Sequence, residues 1–375
     1  MNMKNIFILT INYMSQNFDI PKQMFAIVTT GNGGYDKLSH KIVNTPEINK
    51  NEVLVKVLAA GINNTEINTR IGWYSSSVQS GTETLHKNTE KGRDYKNAGW
   101  NGETKFPLIQ GTDCCGIVVK CKDNKFNSLL GKRVIIRSCM RLEGFSSRQK
   151  VWMASNFDGA FAEYVKVPAS EVFPINCGWS DAELATIPCS YGTSENMLLI
   201  SNCNQNDTVL ITGASGGVGS ATIQLAKLRG CNVIAIVSEE KSSYATQVGA
   251  DKVIPRNSNL LKVLGENNIN LVVDVVGGKN FSDFLKIIAP GGRYVSAGAI
   301  GNPIVNFDLR DLYLKDISIF GCTTWEEQVF LNLIKYIEEG RIKPLLSKTF
   351  KLSNIIEAQK EFLKKNHFGN FVLIP

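Results

Sequence analysis

Histidine is almost missing from this 375-residue chain: His40, His86 and His367 are the only three, and they stand far apart. The nine cysteines never form Cys-x-x-Cys, and their odd number, spread through apolar segments, points to reduced thiols rather than a disulfide framework. Zinc sites draw on closely spaced Cys and His, so both scarcities argue against a metal. Long apolar runs are also lacking. None approaches the roughly 20 residues a membrane-spanning helix needs. The opening stretch, MNMKNIFILTINYMSQ, has one basic residue and an apolar core too short for a secretory signal. Dense basic tracts are absent as well. The formal charge of +7, from 41 Lys and Arg against 34 Asp and Glu, is spread thinly. That speaks against a nucleic-acid track and leaves a mild attraction for phosphorylated small ligands. The expectation is a cytoplasmic protein acting on a small-molecule substrate, away from membranes.

What the chain does have is two textures. The first half holds short strands such as MFAIVTTG, EVLVKVLAAGI, CGIVVK and GKRVIIRS, a β-rich unit expected from Met24 after an extension at 1–23. The polar stretch 75–105 has weak periodicity and reads as either a surface insertion or a lid or interface arm. Ser180 with Glu183 three residues on has the spacing of a capping box, and a helix follows. From Thr208 onward, short apolar strands (TVLIT, NVIAIVS, LVVDVVGG, RYVSAG, DISIFGC) alternate with helices, which predicts an α/β fold with a doubly wound parallel sheet covered on both faces. Two amphipathic helices and the strand FVLIP close the chain.

The stretch VLITGASGGVGSATIQLAKLRG carries the strongest chemical information. An apolar strand runs into Gly213-Ala214-Ser215-Gly216-Gly217-Val218-Gly219, and a helix starts there. Glycines let the backbone turn tightly, approach a pyrophosphate and pack the helix on the strand, while the helix N-terminus faces the negative charge. A lone Gly-x-Gly-x-x-Gly is weak evidence, and Ala214 stands at its first glycine. The strand before and the helix and strand after raise dinucleotide binding above the alternative, a tight turn that binds nothing. The next strand, NVIAIV, ends in Ser238, Glu239, Glu240 and Lys241. A hydroxyl at its tip with a lysine three residues on can hold a 2′-phosphate, favouring NADPH. Glu239 would reverse the preference if it faced the ribose.

Together with VGADKVI, DVVGG, PGGRYVSAG and the closing HFGNFVLIP, this pattern resembles the medium-chain dehydrogenase/reductase superfamily, from Met24 to the C-terminus. Within it, AAGINNTEINTRIGWY resembles the zinc-free quinone oxidoreductase branch. The resemblance implies a GroES-like catalytic domain at 24–172 bearing the insertion 75–105, a Rossmann domain at 173–321, and a return to the catalytic domain at 322–375. It implies that Gly277, Gly298 and Asn370 join the glycine loop around the cofactor, although the branch often has lysine at the position of Asn370. It also implies a homodimer or homotetramer. Zinc-dependent relatives carry a Cys-His pair where this chain has Asn63 and Asn64, and Gly-His-Glu where it has Gly111-Thr112-Asp113. Cys114 and Cys115 follow on an apolar strand, where neighbours point to opposite faces, so they read as packing residues. Without a Lewis acid, reduction of a quinone or conjugated carbonyl remains open. By matching positions, the resemblance places Asn63, Glu66, Arg70 and Tyr74 near substrate or nicotinamide, and Thr193 on the nicotinamide. The branch often has tyrosine at Asn68, which leaves the proton donor open. Two rivals are an enoyl-thioester reductase of the same superfamily and a non-catalytic NADPH-binding protein.

Overall fold

The computed structural model describes residues 18–88 and 99–375. Most of the extension expected at 1–23, and the middle of the stretch 75–105, lie outside the described residues. Among the described residues no helix is long and apolar enough to cross a membrane.

The first unit is built around the strand Glu52–Ile62. It pairs antiparallel with Cys115–Cys121 and Tyr164–Pro168, and near its end with the C-terminal strand Asn370–Ile374. Covered on both sides, this strand buries eight of its eleven residues, which is why EVLVKVLAAGI runs mostly apolar instead of alternating. The adjacent cysteines obey the period of two. Cys114 packs into the core of the first unit, and Cys115 into a second core shared with the second unit.

The second unit is a six-stranded parallel sheet in the order Lys252–Pro255, Asn232–Val237, Thr208–Ile211, Ile269–Asp274, Ile288–Ser296, Ser318–Gly321. Strand order reverses between Thr208–Ile211 and Ile269–Asp274, so a crevice opens at their carboxyl ends, where doubly wound sheets bind ligands. Alternate residues feed two cores: Leu210, Ile234 and Val272 pack with Phe284 on one face, and Val209, Ile211 and Val273 with the helix Gly217–Leu228 on the other.

Ser180 caps its helix as its spacing suggests, its hydroxyl accepting from the Glu183 amide while Glu183 accepts from the Ser180 amide. The unit boundaries differ from the even division at 173 and 322. Val172–Pro174 still pairs with Arg133–Ile136 in the first sheet. The helix Gln328–Glu338 stays with the second unit, because Val329, Phe330, Leu333 and Ile337 pack into the shared core. The chain re-enters the first sheet only with the strand Leu346–Lys351, which pairs with Asn370–Ile374. The helix Ile355–Leu363 then covers the first core.

Candidate active site

The glycine loop lies in the crevice between the strand Thr208–Ile211 and the helix Gly217–Leu228. Gly219 is required by close approach: a Cβ there would sit 2.3 Å from the Gly213 carbonyl oxygen and 2.6 Å from the Ala214 Cα. Two cavities meet at the loop, and Gly213, Gly216 and Gly217 line both. Ser215 and Gly277 line the larger, of about 490 Å³. Val218, Gly219, Gly298 and Asn370 line the smaller, of about 340 Å³. Ala214 faces neither. It is fully buried, and its amide donates to the Ile236 carbonyl at 3.3 Å. Asn370 accepts a hydrogen bond from the Ser190 hydroxyl (3.1 Å) and donates to the Thr186 carbonyl (3.3 Å), tying the C-terminal strand to the base of the loop.

The larger cavity is cationic at its far end. Lys241, Arg256 and Lys365 all line it, beside Ile236 and Val237 at the tip of the second strand of the Rossmann unit. Lys241 is buried and donates to the carbonyls of Lys365 (2.5 Å) and His367 (2.6 Å). Lys365 donates to Asn64 Oδ1 at 2.8 Å and lies over the Phe362 ring. Burial, then the neighbouring Lys241, lower its pKa to about 8. Burial and the Arg256 charge lower that of Lys241 as well. Ser238 lines not this cavity but an adjoining one of about 710 Å³ that Lys241, Glu240 and Lys365 share, with its hydroxyl against the Glu240 carboxylate. Glu239 is exposed. Arg256 was not anticipated. Its signal is positional: it follows Lys252–Pro255, the strand paired with Asn232–Val237, so it lands beside Ser238. Lys365 arrives from the C-terminal segment, and no local pattern marks it.

At the other end, Asn63 caps the helix Asn64–Ile71. Its side-chain amide donates to Asp113 Oδ2 (2.8 Å) and Thr112 Oγ1 (3.2 Å). Asp113 Oδ1 accepts from the Cys189 amide at 2.6 Å. Burial raises the Asp113 pKa to about 7, although both of these bonds oppose it. Glu66 accepts from the Asn63 amide, the Thr112 amide and the Thr112 hydroxyl at 2.7–2.9 Å, yet burial still raises its pKa. Asn63, Tyr74 and Thr193 line the smaller cavity, as the sequence predicts, but Glu66 and Arg70 do not. The helical period explains this: Asn64, Thr65 and Asn68 share the cavity face, while residues 66 and 70, four apart, point into the protein. Arg70 is fully buried, donating to the Gly33 carbonyl (2.8 Å) and Gln359 Oε1 (2.9 Å) and stacking over Tyr35. Neither residue lines either cavity. Tyr74 has Asn68 and Thr65 at its hydroxyl, and burial pushes its pKa up, so the phenol keeps its proton. Four tryptophans, Trp73, Trp100, Trp152 and Trp325, complete the wall.

The Zinc-binding dehydrogenase family model matches residues 217–339, and the Alcohol dehydrogenase GroES-like domain model matches residues 49–177. A putative alcohol dehydrogenase from Sinorhizobium meliloti superposes with a TM-score of 0.85 at 37% identity, over 95% of this chain and 98% of that one. An acryloyl-coenzyme A reductase of Sulfurisphaera tokodaii is 29% identical over 74% of this chain and 86% of its own length. A quinone oxidoreductase of Rattus norvegicus is 25% identical over 90% of this chain and 93% of its own. Zinc in the first family's description invites a test of the corner formed by Asn63, Thr112, Asp113 and Cys189. The residues do not fit a catalytic zinc. Both Asp113 oxygens already accept hydrogen bonds, and the Asn63 amide turns its donor nitrogen inward. Among the described residues no three of His, Cys, Asp and Glu gather as a metal would need.

Proposed function

The chain belongs to the medium-chain dehydrogenase/reductase superfamily, and from that premise we propose that it is a zinc-independent, NADPH-dependent reductase of quinones or conjugated carbonyl compounds. The observation that carries this reading is the pair of cavities joined at the glycine loop, with Lys241, Arg256 and Lys365 at one end and hydrogen-bond donors at the other. When bound, NADPH supplies the hydride. The protein's own residues do the rest. Lys241, Arg256 and Lys365 offer charge-assisted hydrogen bonds to the 2′-phosphate that NADH lacks. The glycine loop and the start of the helix Gly217–Leu228 receive the pyrophosphate. Thr193 and Tyr74 present hydroxyls to the acceptor, where charge accumulates on oxygen during reduction. Tyr74 holds the proton the reduced acceptor must receive, with Asn68 beside it standing where the branch often has tyrosine.

An enoyl thioester is the second reading, and one observation favours it. A surface groove bearing Arg148 and Lys150 shares Ala297, Cys322 and Thr323 with the smaller cavity, so an anionic carrier could lie there. The deciding experiment is NADPH oxidation against quinones, alkenals, enones and enoyl thioesters. Arg256→Ala serves as the cofactor control, with a loss of about tenfold or more in NADPH affinity and none for NADH. Faster turnover with NADH than with NADPH would overturn the cofactor assignment, and inertness towards every acceptor would overturn the reductase.

A further inference from the structure

We propose that Cys203 and Cys231 form a redox-modification site, a dithiol that a hydroperoxide converts to an intramolecular disulfide and a thiol reductant restores. The inference is independent of the reaction performed at the two cavities. The two sulfurs are 3.4 Å apart, in hydrogen-bonding contact. Among the described residues no other two sulfurs share a hydrogen bond. Helix capping brings the pair together. The helices Pro188–Ile200 and Gly217–Leu228 pack side by side, with the Thr222 hydroxyl donating to Ser194 Oγ across the seam at 3.1 Å. Each helix ends in the same way. Asn202 and Gly230 turn the chain with φ of 51° and 82°, and their amides donate to the Leu199 and Lys227 carbonyls at 3.1 and 2.9 Å. The cysteine amides then reach back five residues, Cys203 to the Leu198 carbonyl (2.9 Å) and Cys231 to that of Ala226 (3.1 Å). These paired bonds make a Schellman cap. Cys203 and Cys231 therefore hold equivalent places, one residue beyond the left-handed turn, on two neighbouring helices.

A disulfide bond is about 2.05 Å long, so the sulfurs must close by about 1.4 Å, a small movement for side chains at the ends of two turns. Cys203 is the outer partner. It is 9% exposed, in a turn whose Asn202, Asn204, Gln205 and Asn206 face solvent. Cys231 lies beneath it and donates its thiol hydrogen to the Asn204 carbonyl at 3.1 Å. A hydroperoxide reaching the turn meets Cys203 first. The Cys203 thiolate attacks one peroxide oxygen: the S–O bond forms, the O–O bond breaks, and water or an alcohol leaves. Cys231 then attacks the Cys203 sulfur: the S–S bond forms, the S–O bond breaks, and hydroxide departs as water with the Cys231 proton. Two electrons pass from the sulfurs to the peroxide. The new bond closes a ring, 203 to 231, around the strand Thr208–Ile211, the glycine loop and the helix Gly217–Leu228. Both cysteines sit at the end of this unit away from the loop, just past the helix C-termini and before the strand starts. The cross-link therefore ties the base of the unit, restricts its unfolded chain and leaves both cavities as they are.

The test treats the reduced full-length protein with hydrogen peroxide, quenches it in acid and maps its peptides by mass. The expected result is the loss of two of the nine thiols and a mass lower by two hydrogens. One cross-linked pair of peptides should carry Cys203 and Cys231, and dithiothreitol should separate it. The thermal midpoint of the oxidised protein rises by roughly 5 °C, and the reductant reverses the rise. Cys203→Ser and Cys231→Ser each abolish both the cross-link and the rise. Should either variant fail to fold, the peptide map of the unsubstituted chain decides alone. Nine intact thiols after peroxide, a cross-link joining other cysteines, or sulfinic acid on Cys203 without a cross-link overturns the assignment.

Discussion

Lys365 is a half-buried lysine whose charged form is disfavoured by burial and by Lys241. With its pKa at about 8, NADPH binding through this lysine should depend on pH. A 2′-phosphate is almost fully dianionic above pH 7, so the protons at stake are on the lysines: Lys365, and Lys241, whose pKa burial also lowers. Below about pH 8 the free protein already carries the charge, and NADPH binds with no proton uptake. Above it the lysine must be reprotonated on binding, so NADPH affinity falls as pH rises, approaching about tenfold per pH unit. NADH affinity stays flat through the same range. Isothermal titration of both cofactors from neutral to alkaline pH checks this, and parallel profiles would remove Lys365 from the phosphate site. Tyr74 gives a separate prediction. Tyr74→Phe keeps the ring in the wall and deletes the proton, so kcat should drop about a hundredfold with little change in acceptor KM; a fall confined to KM would make the phenol a packing group. The residues that sequence could not supply, Arg256, Lys365 and Trp100, share one trait: each reaches its site through a neighbour distant in sequence. The glycine loop was legible because strand, turn and helix are consecutive.

At the scale of elements, the helix Asn64–Ile71 shows how a matching motif can mislead. AAGINNTEINTRIGWY runs along the smaller cavity, but the four-residue spacing turns Glu66 and Arg70 away from it, while Thr65 and Asn68 line it. Applying the period of 3.6 to the motif would have separated the two sets. The stretch 75–105 is better integrated than a surface insertion. Its helix Thr82–Asn88 places Glu83 and Lys87 on the larger cavity, the Thr82 amide donates to the Ile300 carbonyl (2.9 Å), and Trp100 lines the smaller cavity. Weak periodicity hid this, because its contacts run to both units, Leu85 in the first core and the Thr82 amide on Ile300. The helix Pro188–Ile200 carries another dependence. Gly192 packs beneath Trp325, and a Cβ there would lie 2.4 Å from the edge of its ring. Gly192→Ala should push Trp325 into the smaller cavity and raise acceptor KM about tenfold or more, with NADPH affinity nearly unchanged. Steady-state kinetics and cofactor titration of this variant separate the two effects; equal losses in both would mean that the helix itself has moved.

The whole molecule is two units sharing one core, with the crevice between them holding both cavities. The parallel sheet was legible because strands apolar throughout require cover on both faces. The point of return to the first sheet was not, since Gln328–Glu338 is equally amphipathic whichever unit it covers. One surface is conspicuously apolar. Leu309, Tyr313 and Leu314 are 62–68% exposed, Ile304 57% and Ile319 43%, and Ser318–Gly321 is the open edge strand of the Rossmann sheet. Open apolar edges invite pairing with another copy, so the assembly expected is a homodimer joined there. Light scattering should give twice the monomer mass, and Ile319→Asp with Leu314→Asp should halve it; a wild-type monomer would leave that face unexplained. The central claim is a reductase that works without metal and prefers NADPH. Its most direct measurement is kcat/KM for NADPH and NADH with one conjugated carbonyl acceptor, after exhaustive chelation and again after zinc is added back. The account predicts turnover undiminished by chelation, unchanged by zinc and at least about tenfold better with NADPH. Activity lost on chelation and restored by zinc, or faster with NADH, would contradict it.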